Sequence, residues 1–170
     1  LHPNRFTPDP SILKILNVTS QEKYVIVRFV SWGATHDFGH TGMSLENKRI
    51  AIKLLSKYAK VFITSEGKLP EDLEQYRVKI PVHKMHDAIY YSSLVCGESA
   101  TMASEAAVLG TPAIFMDNDG RGYTDEEEHK YGIVFNFTES PQDQALAIQK
   151  ALQILQEDNG REKYKSIRQR

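Results

Sequence analysis

Apolar and polar positions fall in blocks along the chain. Residues 24–30, YVIVRFV, are the strongest apolar run, broken only by Arg28, the pattern of a parallel strand buried on both faces. Shorter runs follow at 61–64, 78–81, 94–96, 112–115 and 133–137, each of strand rather than helix length. Between them the spacing becomes helical. Residues 44–58 place Ile50, Ile52, Leu54, Leu55 and Tyr58 on apolar surface, and residues 140–157 do the same with Leu146, Ile148, Ala151, Leu152 and Leu155. Shorter helices are predicted over 10–16, 70–75 and 86–91, and an acidic one stops at Gly132. Alternating strand and helix signals without repeats predict an α/β fold, a doubly wound, mostly parallel sheet of about six strands.

Residues 93–115 organise this pattern. Leu94, Val95 and Cys96 end at Gly97; small residues then run from Ser99 to Leu109; Gly110 stops the helix, and Pro112 opens the next apolar run. This is a β-α-β unit whose strands are expected to be parallel neighbours. Ala100, Ala103, Ala106 and Ala107 make a methyl face that lets the helix approach a sheet closely. With Ser99 as N-cap the third helical position is Met102, so no capping box forms and N–H groups at the helix start remain for an outside acceptor, which an anion would suit. Such units are more often purely structural. Glu98 argues against a phosphate unless its side chain turns away.

The chain of 170 residues is long enough for one domain, or one and a small part. Lys and Arg number 21 against 22 Asp and Glu, which leaves no basic surplus to hold nucleic acid or an anionic membrane. Cys96, the single cysteine, lies within an apolar run and reads as a buried thiol in a reducing compartment. No apolar stretch approaches the ~18 residues of a membrane span and no signal peptide is visible, so a cytoplasmic protein is expected. Three prolines in the first ten residues read as a linker, which suggests a piece of a longer protein. The expected organisation is a linker and short helix over 1–19, a ligand-binding domain over 20–158 and a charged tail, helical or frayed, over 159–170.

Neither a dinucleotide fingerprint, a phosphate-binding P-loop nor a G-x-S-x-G elbow is present. The polar segment SWGATHDFGHTG, residues 31–42, follows the strongest strand, and loops at the carboxyl ends of parallel strands are where ligands bind. His36 and His40 are four apart, but glycines on either side disfavour a helix presenting them to a metal, so hydrogen bonding by His36 and Asp37 is the preferred reading. Arg28 either forms a salt bridge near the strand end or faces an anionic ligand there.

The run GESATMASEAAVLGTPAIF resembles the donor-binding helix of nucleotide-sugar enzymes of the glycosyltransferase-B fold, in the UDP-N-acetylglucosamine 2-epimerase superfamily and the lipid-II-forming N-acetylglucosaminyltransferase. Most of the chain, from FTPDPSILKIL through VIVRFVSWGATHD to YGIVFNFTESPQDQALAIQKAL, resembles a prokaryotic family of uncharacterised activity related to those enzymes. The resemblance implies the C-terminal, donor-binding half of such a protein, with an N-terminal α/β domain as partner and no resident cofactor. It places a diphosphate at Ser99, Ala100 and Thr101 and ribose hydroxyls on Glu105. His36-Asp37-Phe38 stands where the epimerases carry a His followed by Arg, Glu and Asn. Glycosyl transfer is therefore the first expectation, epimerisation the second and a non-catalytic binding or interaction module the third. Because both parallel strands deliver their carboxyl ends to one rim, Arg28, His36 and Asp37 are expected to share the site with Ser99 and Glu105. The domain alone is expected to be inactive.

Overall fold

The computed structural model describes residues 1–2, 4–30, 42–65 and 67–167. Five strands form one sheet in the order β2-β1-β3-β4-β5: β1 (Tyr24–Arg28), β2 (Lys60–Ile63), β3 (Leu94–Gly97), β4 (Ala113–Met116) and β5 (Val134–Phe137). Every neighbouring pair is parallel. The helices are α1 (Ser11–Ile15), α2 (Leu45–Leu55), α3 (Met85–Tyr91), α4 (Ala100–Val108), α5 (Gly122–His129), α6 (Pro141–Gln156) and α7 (Gly160–Lys165). Helices α1, α3, α4 and α5 pack side by side on one face; α6 covers β3, β4 and β5 on the other and meets α2 there. The fold is thus a doubly wound α/β sheet.

The expected sixth strand at 78–81 does not form. Val78 donates its amide to the Ile63 carbonyl at 2.8 Å, and a single bridge joins Arg77 to Ile63. There the ladder ends: β2 stops at Ile63, and Pro81 has no N–H to continue it. The segment instead lies along the end of β2 and runs through a 3-10 turn (Val82–Lys84) into α3.

Helix α4 shows how the sequence fixes local structure. Ser99 caps it, its hydroxyl accepting from the Met102 amide at 3.3 Å. At the other end Gly110, at φ +71°, takes the left-handed position, Thr111 N–H reaches Ala106 O at 2.8 Å and Gly110 N–H reaches Ala107 O at 2.9 Å. This is the double closure of a Schellman motif. Ala103, Ala106 and Ala107 are buried as the methyl face predicts. Gly97 before the helix is required by a close approach: a Cβ there would lie 1.9 Å from the Arg28 carbonyl oxygen. The end of β3 therefore lies tight against β1, and Glu98 N–H donates to Arg28 O at 2.8 Å. The charged segment after residue 159 forms α7, which buries Tyr164. Among the described residues, no helix is long and apolar enough to cross a membrane.

Candidate functional site

Strands β1 and β3 are adjacent, with Arg28 in register with Gly97, so the residues after both strands meet at one rim. A cavity of about 400 Å³ opens there, within the size range of small-molecule sites. Arg28, Ser99, Thr101 and Glu105 all line it. Ala100 does not; it is partly buried against the core. His36 and Asp37 lie outside the described residues.

The lining divides by chemistry. Ser99 and Thr101 present hydroxyls at the start of α4, beside Arg28. The cap satisfies the Met102 amide; those of Ala100 and Thr101, first in the helix, have no intrahelical acceptor among the described residues. Thr64 and Ser65 add hydroxyls from the end of β2. The rest of the lining is mostly apolar, with Val78, Ile80, Val82, Met85 and Met102, and Val82 is 90% exposed. Glu105 stands one turn into α4, its side chain 34% exposed, with Oε1 3.4 Å from His86 Nε2 on α3. A half-exposed carboxylate beside polar groups and an apolar shelf can accept two hydroxyl donors at once.

Glu98 is turned away from this cavity. Its Oε2 accepts from Val30 N–H at 2.9 Å and its Oε1 from Met43 N–H at 2.7 Å. Those amides flank the segment between β1 and α2, so one carboxylate ties both its ends. Lys48 Nζ lies 3.4 Å from Glu98 Oε1, and the two side chains are 3% and 7% exposed. Burial pushes the Lys48 ammonium below its ordinary value, while the Glu98 charge opposes that shift. The ammonium also sits 5.0 Å from the centre of the Phe29 ring. Gly42, at φ +63°, lies against the same carboxylate: a Cβ there would lie 2.5 Å from Glu98 Oε1. The negative charge that argues against an anion at Ser99 is thus withdrawn into the protein and neutralised.

Several cavity residues carried no signal in the sequence. Arg77 donates to the Ser65 and Gly67 carbonyls at 3.2 and 3.0 Å and pairs with Glu74, which shapes the wall after β2. Just outside that lining, His86 on α3 stands against Glu105. From the run 78–81, read as strand, Val78 and Ile80 line the apolar side of the cavity. Among the described residues no group of His, Cys, Asp and Glu could hold a metal ion.

No family model and no curated protein matches the sequence. Solved structures do. A glycosyltransferase of kitacinnamycin aligns over 88% of this chain and 39% of its own, at 9% identity and a TM-score of 0.56. A Listeria monocytogenes structure assigned as a UDP-N-acetylglucosamine 2-epimerase aligns over 95% and 43%, at 14% identity and 0.56. The wall teichoic acid polymerase TagF aligns over 94% and 42%, at 13% identity and 0.51. At such identities the likeness establishes fold alone: this chain has the Rossmann-like architecture of one half of the glycosyltransferase-B fold. It spans about two fifths of the length of these structures.

Proposed function

We propose that the cavity binds the nucleoside diphosphate part of a nucleotide sugar, a UDP-sugar in the first instance, as the donor-binding half of a glycosyltransferase. The observation that carries this reading is the convergence of Ser99, Thr101, Arg28 and Glu105 in one cavity with an apolar wall. A diphosphate is suited to the start of α4, where the Ala100 and Thr101 amides, the helix dipole, two hydroxyls and a guanidinium favour negative charge. Glu105 accepts the two hydroxyls of a ribose. The apolar wall from Val78 to Met85 with Met102 gives a flat, uncharged base a surface to cover. The burial of Glu98 with Lys48 supports the reading, since it takes the carboxylate next to Ser99 out of the cavity.

In this proposal residues 20–158 form the ligand-binding domain, and an N-terminal α/β domain of the same protein supplies the other wall of the cleft and the groups that act on the acceptor. Transfer is preferred to epimerisation because His36-Asp37-Phe38 lacks the Arg-Glu-Asn that follows the epimerase histidine. This half alone then binds its ligand weakly and turns nothing over. The test is saturation-transfer NMR with millimolar UDP. Transfer from protein to UDP is expected, and Glu105→Ala is expected to weaken binding by about 1–3 kcal/mol through the loss of charged hydrogen bonds, with the melting temperature nearly unchanged. A folded sample that transfers nothing to UDP overturns the proposal.

A further inference from the structure

We propose that His86 is a positioning residue for Glu105, set in place by the N-terminal segment. The inference rests on the reading of Glu105 as a ligand acceptor. A carboxylate on an exposed helix surface samples several rotamers, and a ligand must then fix one of them. Here the imidazole of His86 stands 3.4 Å from Glu105 Oε1. A carboxylate offers about four lone-pair positions, so an imidazole standing beside Oε1 still leaves room for two hydroxyls. His86 thus selects the orientation in which Glu105 faces the cavity.

The imidazole is itself held. The ring of Phe6 meets it edge to face, with centroids 6.2 Å apart at 82°. Three residues further on, Asp9 ties the same segment to α3: its amide donates to Asp87 Oδ1 at 2.8 Å, and its carboxylate pairs with Lys84. Asp87 is 6% exposed and lies 3.7 Å from Lys84 Nζ, so these three charges are engaged with one another. Glu105 is the charged partner that the structure pairs with His86. A run of contacts therefore leads from the proline-rich start of the chain, through Phe6 and His86, to the carboxylate in the cavity.

UDP affinity separates this role from simple packing, and UDP titrations compare two substitutions. His86→Phe keeps a ring against Phe6 but loses the polar edge that faces Glu105, and is expected to weaken UDP binding about threefold to tenfold; His86→Gln restores a polar group there and is expected to recover affinity to within about twofold of wild type. Wild-type affinity in His86→Phe alongside weakened binding in Glu105→Ala overturns the role of His86 alone. Absence of UDP binding in the wild type overturns the ligand reading and this role with it.

Discussion

The two edges of the sheet use the same kinds of side chain for different ends. At the amino edge long cations close the structure. Lys23 donates to the Leu155 and Glu157 carbonyls at 2.6 and 3.1 Å, which caps the end of α6. Arg161 reaches the Ser20 and Glu22 carbonyls, Lys60 reaches Asn17 O at 2.6 Å, and Lys165 donates to Leu109 O and Thr111 Oγ1 at 3.0 Å each. Each joins segments far apart in sequence, and each satisfies a backbone carbonyl that lies outside the helix and strand ladders. At the carboxyl edge Ser99, Thr101 and Glu105 line a cavity, and the buried pair of Lys48 and Glu98 lies behind them as its support. A charged residue therefore says little by itself; what decides its role is whether the topology brings a backbone carbonyl or an open cavity to it.

The sharpest way to break this comparison is to remove a charge from within the carboxyl edge itself. Glu98→Ala strands the buried Lys48 ammonium and leaves two amides without their acceptor, which is expected to cost about 3–5 kcal/mol of stability. Glu105→Ala, one turn further along α4 but half exposed, is expected to change stability by no more than about 0.5 kcal/mol. Urea unfolding of the two variants measures the contrast. Equal effects would mean that Glu98 and Glu105 are not divided into support and site as the geometry divides them.

A second substitution sharpens it from the other edge. Lys23→Ala removes charged hydrogen bonds to the end of α6 and is expected to lower stability by about 1.5–3 kcal/mol while leaving UDP affinity unchanged under conditions where the variant is folded. Weakened UDP binding in that folded variant would show that the amino edge is not merely structural.

These outcomes bear on what could be read from the residues alone. The β-α-β unit around Gly97 was legible because its signals are local: a cap at Ser99, a small-residue face and Gly110 as the left-handed stop all act within one turn. The placing of Ser99, Thr101, Glu105 and Arg28 at one rim was legible too, because parallel strands oblige their following loops to share an edge. Glu98 was not. In sequence it is a carboxylate next to a helix start; only the adjacency of β1 and β3 lets it reach Val30 and Met43. His86 was equally hidden, since its contact with Glu105 depends on how α3 packs on α4. The run at 78–81 has strand composition but meets the end of β2, so Val78 and Ile80, expected in the sheet, line the cavity instead.

Alkaline pH separates the two edges by the ionisation of one buried group near each. Cys96, near the carboxyl end of β3, has its thiol pushed up from the ordinary 9.0 to about 12, chiefly by burial and also by the Glu98 charge. Tyr24, at the amino end of β1, donates its hydroxyl to Ala88 O at 2.5 Å and is pushed well above the ordinary 10.0, again chiefly by burial. In both cases the folded state keeps the proton that the unfolded state releases. The stability they contribute is therefore complete below the unfolded value and is lost as pH rises, with a limiting slope of about 1.4 kcal/mol per pH unit for each group. Cys96 begins to act near pH 9 and Tyr24 near pH 10. Lys48 acts in the opposite sense, because its lowered value lets the folded state release a proton first, but its contribution is common to wild type and to variants at the other two positions. Unfolding free energies measured between pH 8 and 10 are accordingly expected to fall less steeply for Cys96→Ala than for wild type, with the Tyr24→Phe difference emerging only at the upper end. A wild-type slope retained in Cys96→Ala would show that the thiol does not ionise on unfolding in this range, and the carboxyl edge would then have no part in the alkaline loss of stability.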